Sequence, residues 1–323
     1  MTPRLTIVLL TLNEAANIQR CLDSLRTQTV QDFVVIVIDA ASDDGTVDIV
    51  RREGGDLPMP LTLEASSRRL PIGEARNLGV RMAQTPYVAF LSADAELDPR
   101  WVGQALTHLE DAGMVFGRQV HMPHRWTTGA AVRGLRYHFP RKATAHPLRY
   151  ASNVAAAYRR DILQRHPFDP WANAAEDLLL AERGAADGHH AVYDPHMLVL
   201  HHDVDTFRAE WQKSVREGHG WGLYAQELGP QRGYLAWGTL LAGAGVATAV
   251  APAWGLPTLA LALWGPALRR AARNRREMPP RALAKGVLAT PLFDLAFLIN
   301  HLRGLVGRRG TRTTMTAPLE TRE

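Results

Sequence analysis

Residues 5–10 form a continuous run of leucine and β-branched residues that stops at Thr11, Asn13 and Glu14, as a parallel strand buried on both faces requires. Ile18, Cys21, Leu22 and Leu25 then recur at three- and four-residue spacing, the mark of a helix with one buried face. A second buried strand is predicted over residues 33–38, ending at Asp39. Ser42-Asp43-Asp44-Gly45-Thr46 reads as a turn rich in helix-capping side chains, continued by a helix over 47–52. A shorter strand at 61–63, a helix at 73–82 and a strand at 87–91 complete the alternation. Strand–helix alternation predicts an α/β fold whose ligand lies at the carboxyl ends of the strands, where Asp39 and Asp94 both fall.

From residue 118 to 150 the alternation gives way to basic, aromatic and proline-bearing sequence that includes His121, His124, Trp126, Arg133, Arg136, Tyr137, His138, Arg141 and Lys142. Regular pattern resumes at 151–158 and continues through Phe168-Asp169 and Glu176-Asp177. A helix is predicted at 175–186, with strands at 190–193 and 197–200, the latter running into His201-His202-Asp203.

Residues 233–268 contain no Asp, Glu, Lys, Arg or His. As one straight helix they would span about 54 Å, against a bilayer core of about 30 Å. Pro252, Gly255 and Pro257 near their middle therefore predict a hairpin of two apolar helices, membrane-embedded or, alternatively, a soluble Gly- and Ala-rich pair. Arg269, Arg270, Arg273, Arg275 and Arg276 follow at once, and the positive-inside rule holds such a cluster on the cytoplasmic side. Leu288, Leu292, Leu295, Ile299 and Leu302 share a helical face, interrupted by Asp294 and His301, as in an amphipathic helix lying at a membrane interface. The expected organisation is a catalytic domain over 1–232, the hairpin over 233–268, a basic linker and amphipathic helix over 269–307, and a disordered tail over 308–323.

A chain of 323 residues, 46% hydrophobic and 21% charged, accommodates one catalytic domain of more than about 200 residues with an appendage. The single cysteine, Cys21, excludes an internal disulfide and a cysteine-built zinc site, and it fits a reducing cytosol. The first apolar run is too short for a secretory leader. The net charge of +5 gathers at 118–165 and 269–312 without the aromatic interleaving of a nucleic-acid platform, so no nucleic-acid partner is expected.

Candidate chemistry begins at Ser92-Ala93-Asp94-Ala95-Glu96. Carboxylates one residue apart at a strand end point the same way, and paired hard oxygens suit Mg²⁺ or Mn²⁺ carrying a phosphorylated substrate. A solvated acidic turn, or the cap of a helix from Asp98-Pro99, is the competing reading. Glu176-Asp177 likewise reads either as chemistry or as charge complementing a helix N-terminus.

Taken in order, Thr11-Leu12-Asn13-Glu14, the loop Asp39-Ala40-Ala41-Ser42-Asp43-Asp44-Gly45-Thr46, Gly73-Glu74-Ala75-Arg76-Asn77-Leu78-Gly79, Asp94-Ala95-Glu96 and Glu176-Asp177 resemble successive motifs of the family-2 glycosyltransferases, over about residues 4 to 225. The resemblance implies a GT-A fold, Rossmann-like and mostly parallel with flanking helices, to which the apolar hairpin and amphipathic helix are appended. It implies a metal held by Asp94, Glu96 and His201, and a catalytic base at Asp177. Donor or nucleotide contacts are implied at Thr11, Leu12, Asn13, Glu14, Asp39, Gly73, Arg76, Asn77, Asp94 and Ala95, and acceptor or lid roles at Glu176, Lys213 and Arg216. Ala40 and Ala41 stand where the family commonly has a second Asp and a Gly, which leaves the nucleobase open. A structural role for His201 remains an alternative, as does simple inward packing of Phe207, Trp211 and Val215 on the helix that carries Lys213. Trp126, Tyr137 and Tyr150 either stack on sugars or pack. The expected activity is metal-dependent, inverting transfer of a sugar from a nucleotide-sugar to a hydroxyl of a lipid-linked or membrane-proximal acceptor, at the cytoplasmic side of the cell membrane. The alternatives are a non-catalytic, membrane-associated nucleotide-sugar-binding protein and a sugar-phosphate nucleotidyltransferase. The second would need a glycine-rich phosphate loop that residues 11–14 do not offer.

Overall fold

The aliphatic runs become strands and the amphipathic stretches become helices in the order β1 (Leu5–Thr11), α1 (Ile18–Arg26), β2 (Phe33–Asp39), α2 (Thr46–Gly54), β3 (Leu61–Ala65), α3 (Ile72–Met82) and β4 (Tyr87–Ser92). The computed structural model describes residues 2–123, 125–136, 146–148, 152–172, 174–202, 206–225, 232–276 and 278–306. Tyr137, Tyr150, His124, His138, Arg141, Lys142, Asp203 and the tail 308–323 lie outside these residues.

Strands β3, β2, β1 and β4 are parallel neighbours. Their register sets Thr11 beside Asp39 and Leu10 beside Ser92, which brings the polar strand ends to one edge. Alternate residues of one strand fill opposite faces. Leu5, Ile7 and Leu9 pack with Ile18, Leu22, Phe33 and Trp101, while Val8 packs with Ile36, Phe90 and Tyr158 on the other side. Full burial of each such side chain contributes about 1.5–3 kcal/mol.

Beyond β4 the sheet becomes mixed. The chain continues as β5 (Ala95–Leu97), α4 (Trp101–His108), β6 (Met114–His121), α5 (Thr128–Arg136), β7 (His146–Leu148), β8 (Ala155–Arg159), α6 (Arg160–Arg165), α7 (Glu176–Ala186), β9 (Ala191–His201) and α8 (Phe207–Leu223). The strand order is β3-β2-β1-β4-β8-β6-β9-β5, with β7 on β9. Antiparallel pairs β4/β8, β6/β8, β5/β9 and β7/β9 replace the parallel pattern in this half. The strands expected at 190–193 and 197–200 are one strand, β9, whose register against β6 shifts between Gly117 and Gln119. No strand is expected at β6, because Gly117 and Arg118 break its apolar run. The competing cap reading of Asp98-Pro99 is partly met, since Asp98 Oδ1 accepts from Arg100 N just ahead of α4.

The apolar tail forms α9 (Arg232–Val250), α10 (Pro252–Asn274) and α11 (Pro280–Val306). The hairpin turns at Ala251, with Pro252 in the first turn of α10, where its missing N–H costs nothing. Trp237 Nε1 donates to the Ala262 carbonyl across the pair at 2.7 Å. Among the described residues, α9 and α11 are long and apolar enough to cross a bilayer. The amphipathic stretch is a longer helix than its leucine stripe implies, and its other face packs on α8. Gly218 lies against the main chain of Phe297, and Gly222 against Gly304, so closely that a Cβ at either would collide. Leu288, Leu292, Leu295, Ile299 and Leu302 remain exposed. Asp294 and His301 do not interrupt that exposed face; both are buried on the opposite one. Asp294 accepts from Tyr234 at 3.0 Å and pairs with Arg270 at 2.6 Å and Arg136 at 3.3 Å, while Arg136 also pairs with Glu210 of α8 at 3.2 Å. One buried polar network thus ties α5, α8, α9, α10 and α11 together.

Candidate active site

The loops after β1 and β2 are laced together by their own side chains. Asp39, fully buried, accepts from Thr11 Oγ1 at 2.7 Å, Ser42 N at 2.9 Å and Ser42 Oγ at 2.6 Å. Asn13 N donates to Ser42 Oγ, Asp43 N to Asn13 Oδ1, Glu14 N to Thr46 Oγ1, and Ala15 N to Asp44 Oδ2. Asn13 and Ala41 both adopt positive φ, at 57° and 67°. That conformation is costly for a residue with a Cβ, and at Ala41 it falls where the resembled family commonly has glycine. Leu12 is half-buried beside this network. Burial and the nearby Asp94 push Glu14 up to about 7, although Asn17 Nδ2 donates to its carboxylate.

Asp94 occupies the turn that returns β4 to β5, and β5 pairs with β9, setting buried Ala95 beside His201. Its carboxylate Oδ2 lies 3.2 Å from His201 Nε2. Burial would raise Asp94, but His201 and Lys213 hold it down at about 2, so it stays ionised. Glu96, expected as its partner, is engaged elsewhere: it pairs with His202 Nε2 at 2.5 Å and lies 3.6 Å from Arg20 Nε. Among the described residues no three-ligand protein set is assembled. One ionised carboxylate beside one imidazole still fits Mg²⁺ or Mn²⁺, because such ions complete their shell with water and substrate phosphate.

The stretch Gly73 to Asn77 has a different use from the one expected. Arg76 is buried, ion-paired with Glu176, and sandwiched between Phe90 and Phe168 at 5.5 and 5.4 Å from the ring centroids. The two side chains are thus engaged with each other, where a donor contact for Arg76 and an acceptor or lid role for Glu176 were expected. Asn77 grips the main chain of Phe168 at both ends, Nδ2 to O at 2.8 Å and N to Oδ1 at 2.9 Å. A Cβ at Gly73 would collide with the Asp169 carbonyl. The three residues clamp the segment leading into α7. Ala175, at φ 64°, is the N-cap of that helix, and Asp177 follows in its first turn. Asp177 accepts from Leu178 N at 2.9 Å and Asn153 N at 3.4 Å. Burial and the adjacent Glu176 push its carboxyl up to about 7 against the opposing pull of Arg76.

On α8, Lys213 lies on the Asp94 side, and burial together with Arg133 lowers it to about 8. Arg216 is exposed. Phe207 and Trp211 pack on Phe293 of α11, at 4.8 and 5.8 Å between ring centroids. Trp126 packs: it joins Leu135, Met278 and Ala282 in a small cluster where α5 meets α11, and its ring stands edge-on to His121 at 6.1 Å between centroids.

Three polar residues at this edge carry no role from sequence. Asn153 donates its main-chain N to Asp177 and its Oδ1 accepts from Tyr158, while its buried Nδ2 has no partner. Among the described residues, Gln119 Nε2 and both ring nitrogens of His121 are likewise buried and unpartnered. Burial, reinforced by Arg133 and His201, lowers His121 to about 3, so its ring is neutral. Only the place of His121 and Asn153 at strand ends could have pointed to them.

The model of the family described as glycosyl transferase family 2 matches residues 6–166. An O-antigen chain rhamnosyltransferase of Salmonella typhimurium is 26% identical over 230 residues, 67% of this chain and 71% of the relative. A PGL/p-HBAD biosynthesis glycosyltransferase of Mycobacterium bovis is 35% identical over 95 residues, 29% of this chain and 37% of its own length. Among solved structures, the mannosyltransferase PcManGT of Pyrobaculum calidifontis, in complex with GDP-Man and Mn²⁺, superposes with a TM-score of 0.59 at 22% identity, covering 94% of this chain and 88% of that one. S. aureus TarS 1–349, in complex with UDP-GlcNAc, gives 0.52 at 15% identity over 92% and 91%. These likenesses establish the GT-A fold.

Proposed function

The chain belongs to glycosyl transferase family 2 and is a glycosyltransferase, and from that premise we propose that it is a metal-dependent, inverting enzyme that takes its sugar from a nucleotide-sugar. The observation that carries this reading is Asp177: a half-buried carboxyl near pKa 7, fixed by two main-chain amides at the carboxyl edge of the sheet. A base poised near the working pH takes a proton efficiently. Asp177 would accept the proton of an acceptor hydroxyl as that oxygen bonds to the anomeric carbon. The bond from that carbon to the diphosphate breaks on the opposite side, and the configuration inverts. Asp94 and His201 would hold Mg²⁺ or Mn²⁺, which when bound neutralises charge on the departing diphosphate. Lys213, whose charge helps hold Asp94 ionised, adds positive charge to the same end. The laced loops around Asp39 and Asn13 are the proposed nucleoside cradle.

The proposed acceptor is lipid-linked or membrane-proximal, reached by a catalytic domain on the cytoplasmic side of the cell membrane. Exposed apolar side chains on all three C-terminal helices support this, among them Val250, Trp254, Leu261, Leu288 and Val306. The boundaries proposed remain 1–232 for catalysis and 233–307 for membrane association.

The test is a nucleotide-sugar screen of the detergent-purified protein, reading release of nucleoside diphosphate with and without chelator. Release from one donor, abolished by chelator and in Asp94→Ala and Asp177→Ala, is expected. Chelator-insensitive release would overturn the metal, and undiminished release from Asp177→Ala would overturn the base.

A further inference from the structure

A buried donor or acceptor with no partner costs about 1–3 kcal/mol, and each one in a folded protein calls for a reason. Gln119 Nε2 and His121 Nδ1 and Nε2 are three such atoms on one strand. Residues 119–121 pair regularly with 199–201 of β9, beyond the register shift, so Gln119 and His121 project from the same face. In the sheet, β6 runs between β8 and β9. Just ahead of β8 stands Asn153, whose main chain holds Asp177; β9 ends in His201, which pairs with Asp94. In a direct displacement the sugar lies between the base and the departing diphosphate. With Asp177 as base and Asp94 at the diphosphate, the end of β6 would border the sugar.

Resting on the glycosyltransferase reading above, we infer that Gln119 and His121 bind hydroxyls of the transferred sugar and set which sugar is accepted. The chemistry of the pair suits hydroxyls better than phosphates. A primary amide offers donors, and an imidazole offers ring nitrogens that can give or take a hydrogen bond, a set that matches groups which do both. Lys213 and His201 stand at the Asp94 end. Asn153 Nδ2, also buried and unpartnered, supplies a third donor beside Asp177. A site built to bond a hydroxyl rejects the analogue that lacks it, because its own buried groups are then left unpaired.

The test compares wild type with His121→Leu, His121→Asn and Gln119→Met, all full-length in detergent. It titrates each with the nucleotide-sugar identified by the donor screen, with the nucleoside diphosphate alone, and with deoxy-sugar analogues of that donor. The expected result is nucleotide-sugar affinity and kcat/KM lowered about 10- to 100-fold in His121→Leu and Gln119→Met, with affinity for the nucleoside diphosphate unchanged within about twofold. Deoxygenation at one sugar position should penalise wild type and leave the matching variant indifferent. Free-protein Tm should hold or rise, since unpaired polar atoms have been removed. Equal loss of both ligands would move the contact to the diphosphate and overturn the inference. A lowered Tm with unchanged donor affinity would reduce both residues to packing and overturn it too. Should the leucine variant not fold, His121→Asn and the imidazole ¹⁵N shifts of wild type on donor addition decide: an unmoved His121 signal in a donor-saturated enzyme sinks it. If wild type turns over a donor and the variants bind it normally, only this inference fails. If wild type binds no nucleotide-sugar, the glycosyltransferase reading of the site falls with it.

Discussion

Asp177 shows how a residue's surroundings set its chemistry. Its first-turn position, the amides of Asn153 and Leu178 and the neighbouring Glu176 leave a carboxyl that titrates near 7 rather than near 4. The acid limb of the rate profile should therefore rise through about pH 7, and Asp177→Asn should abolish it with a loss of about 10²- to 10⁴-fold. Stability should show the opposite preference. Because the folded pKa lies above the unfolded one, the protonated form favours folding at low pH, and that advantage is lost as pH climbs from about 4 through about 7. Asp177→Asn should thus raise Tm at pH 8.5 and leave it little changed at pH 4, with a gain of a few kcal/mol at most by the relation of about 1.4 kcal/mol per pK unit. Denaturant melts at the two pH values check this; equal effects at both would contradict it. Arg76 teaches the complementary point. A sequence cannot say whether an arginine at a helix start faces a phosphate or a carboxylate. Here Glu176, one hundred positions away in the chain, claims it.

Among elements, the packing of α8 on α11 governs how the apolar tail meets the catalytic half. Gly218, Gly222 and Gly304 allow the two backbones to touch, and the same helix α8 carries Lys213, whose charge lowers the Asp94 carboxyl. Gly222→Leu should force the helices apart and cost about 1–3 kcal/mol, as overpacking does. The change should also lower kcat/KM through displacement of Lys213, while Gly243→Leu, on the open side of α9, should do neither. Thermal melts and donor kinetics on both variants test the coupling. The network around Asp294 reinforces it, since Arg136 bonds α8 through Glu210 and α11 through Asp294.

For the whole molecule, the exposed large apolar side chains gather on α9, α10 and α11, with Arg269, Arg273, Arg275 and Arg276 exposed close by. Each basic residue at an anionic surface contributes about 1 kcal/mol. The double variant Leu292→Glu/Leu295→Glu should lose flotation with phosphatidylglycerol vesicles yet keep wild-type donor turnover in detergent; retained flotation would remove that face from membrane contact. The parallel half of the sheet, the hairpin break near residue 251 and the acidic turn at Asp94 are legible in the chain, because each follows from local periodicity and turn chemistry. Local sequence is equally sufficient for the apolar character of the tail. Tertiary structure alone decides the rest. It decides that Glu96 turns to His202, that Arg76 and Asn77 clamp the approach to Asp177, that Asp294 faces inward, and that β6 runs between β8 and β9. Each of those outcomes depends on partners far apart in sequence, brought together by strand order and helix packing, and periodicity carries no record of either.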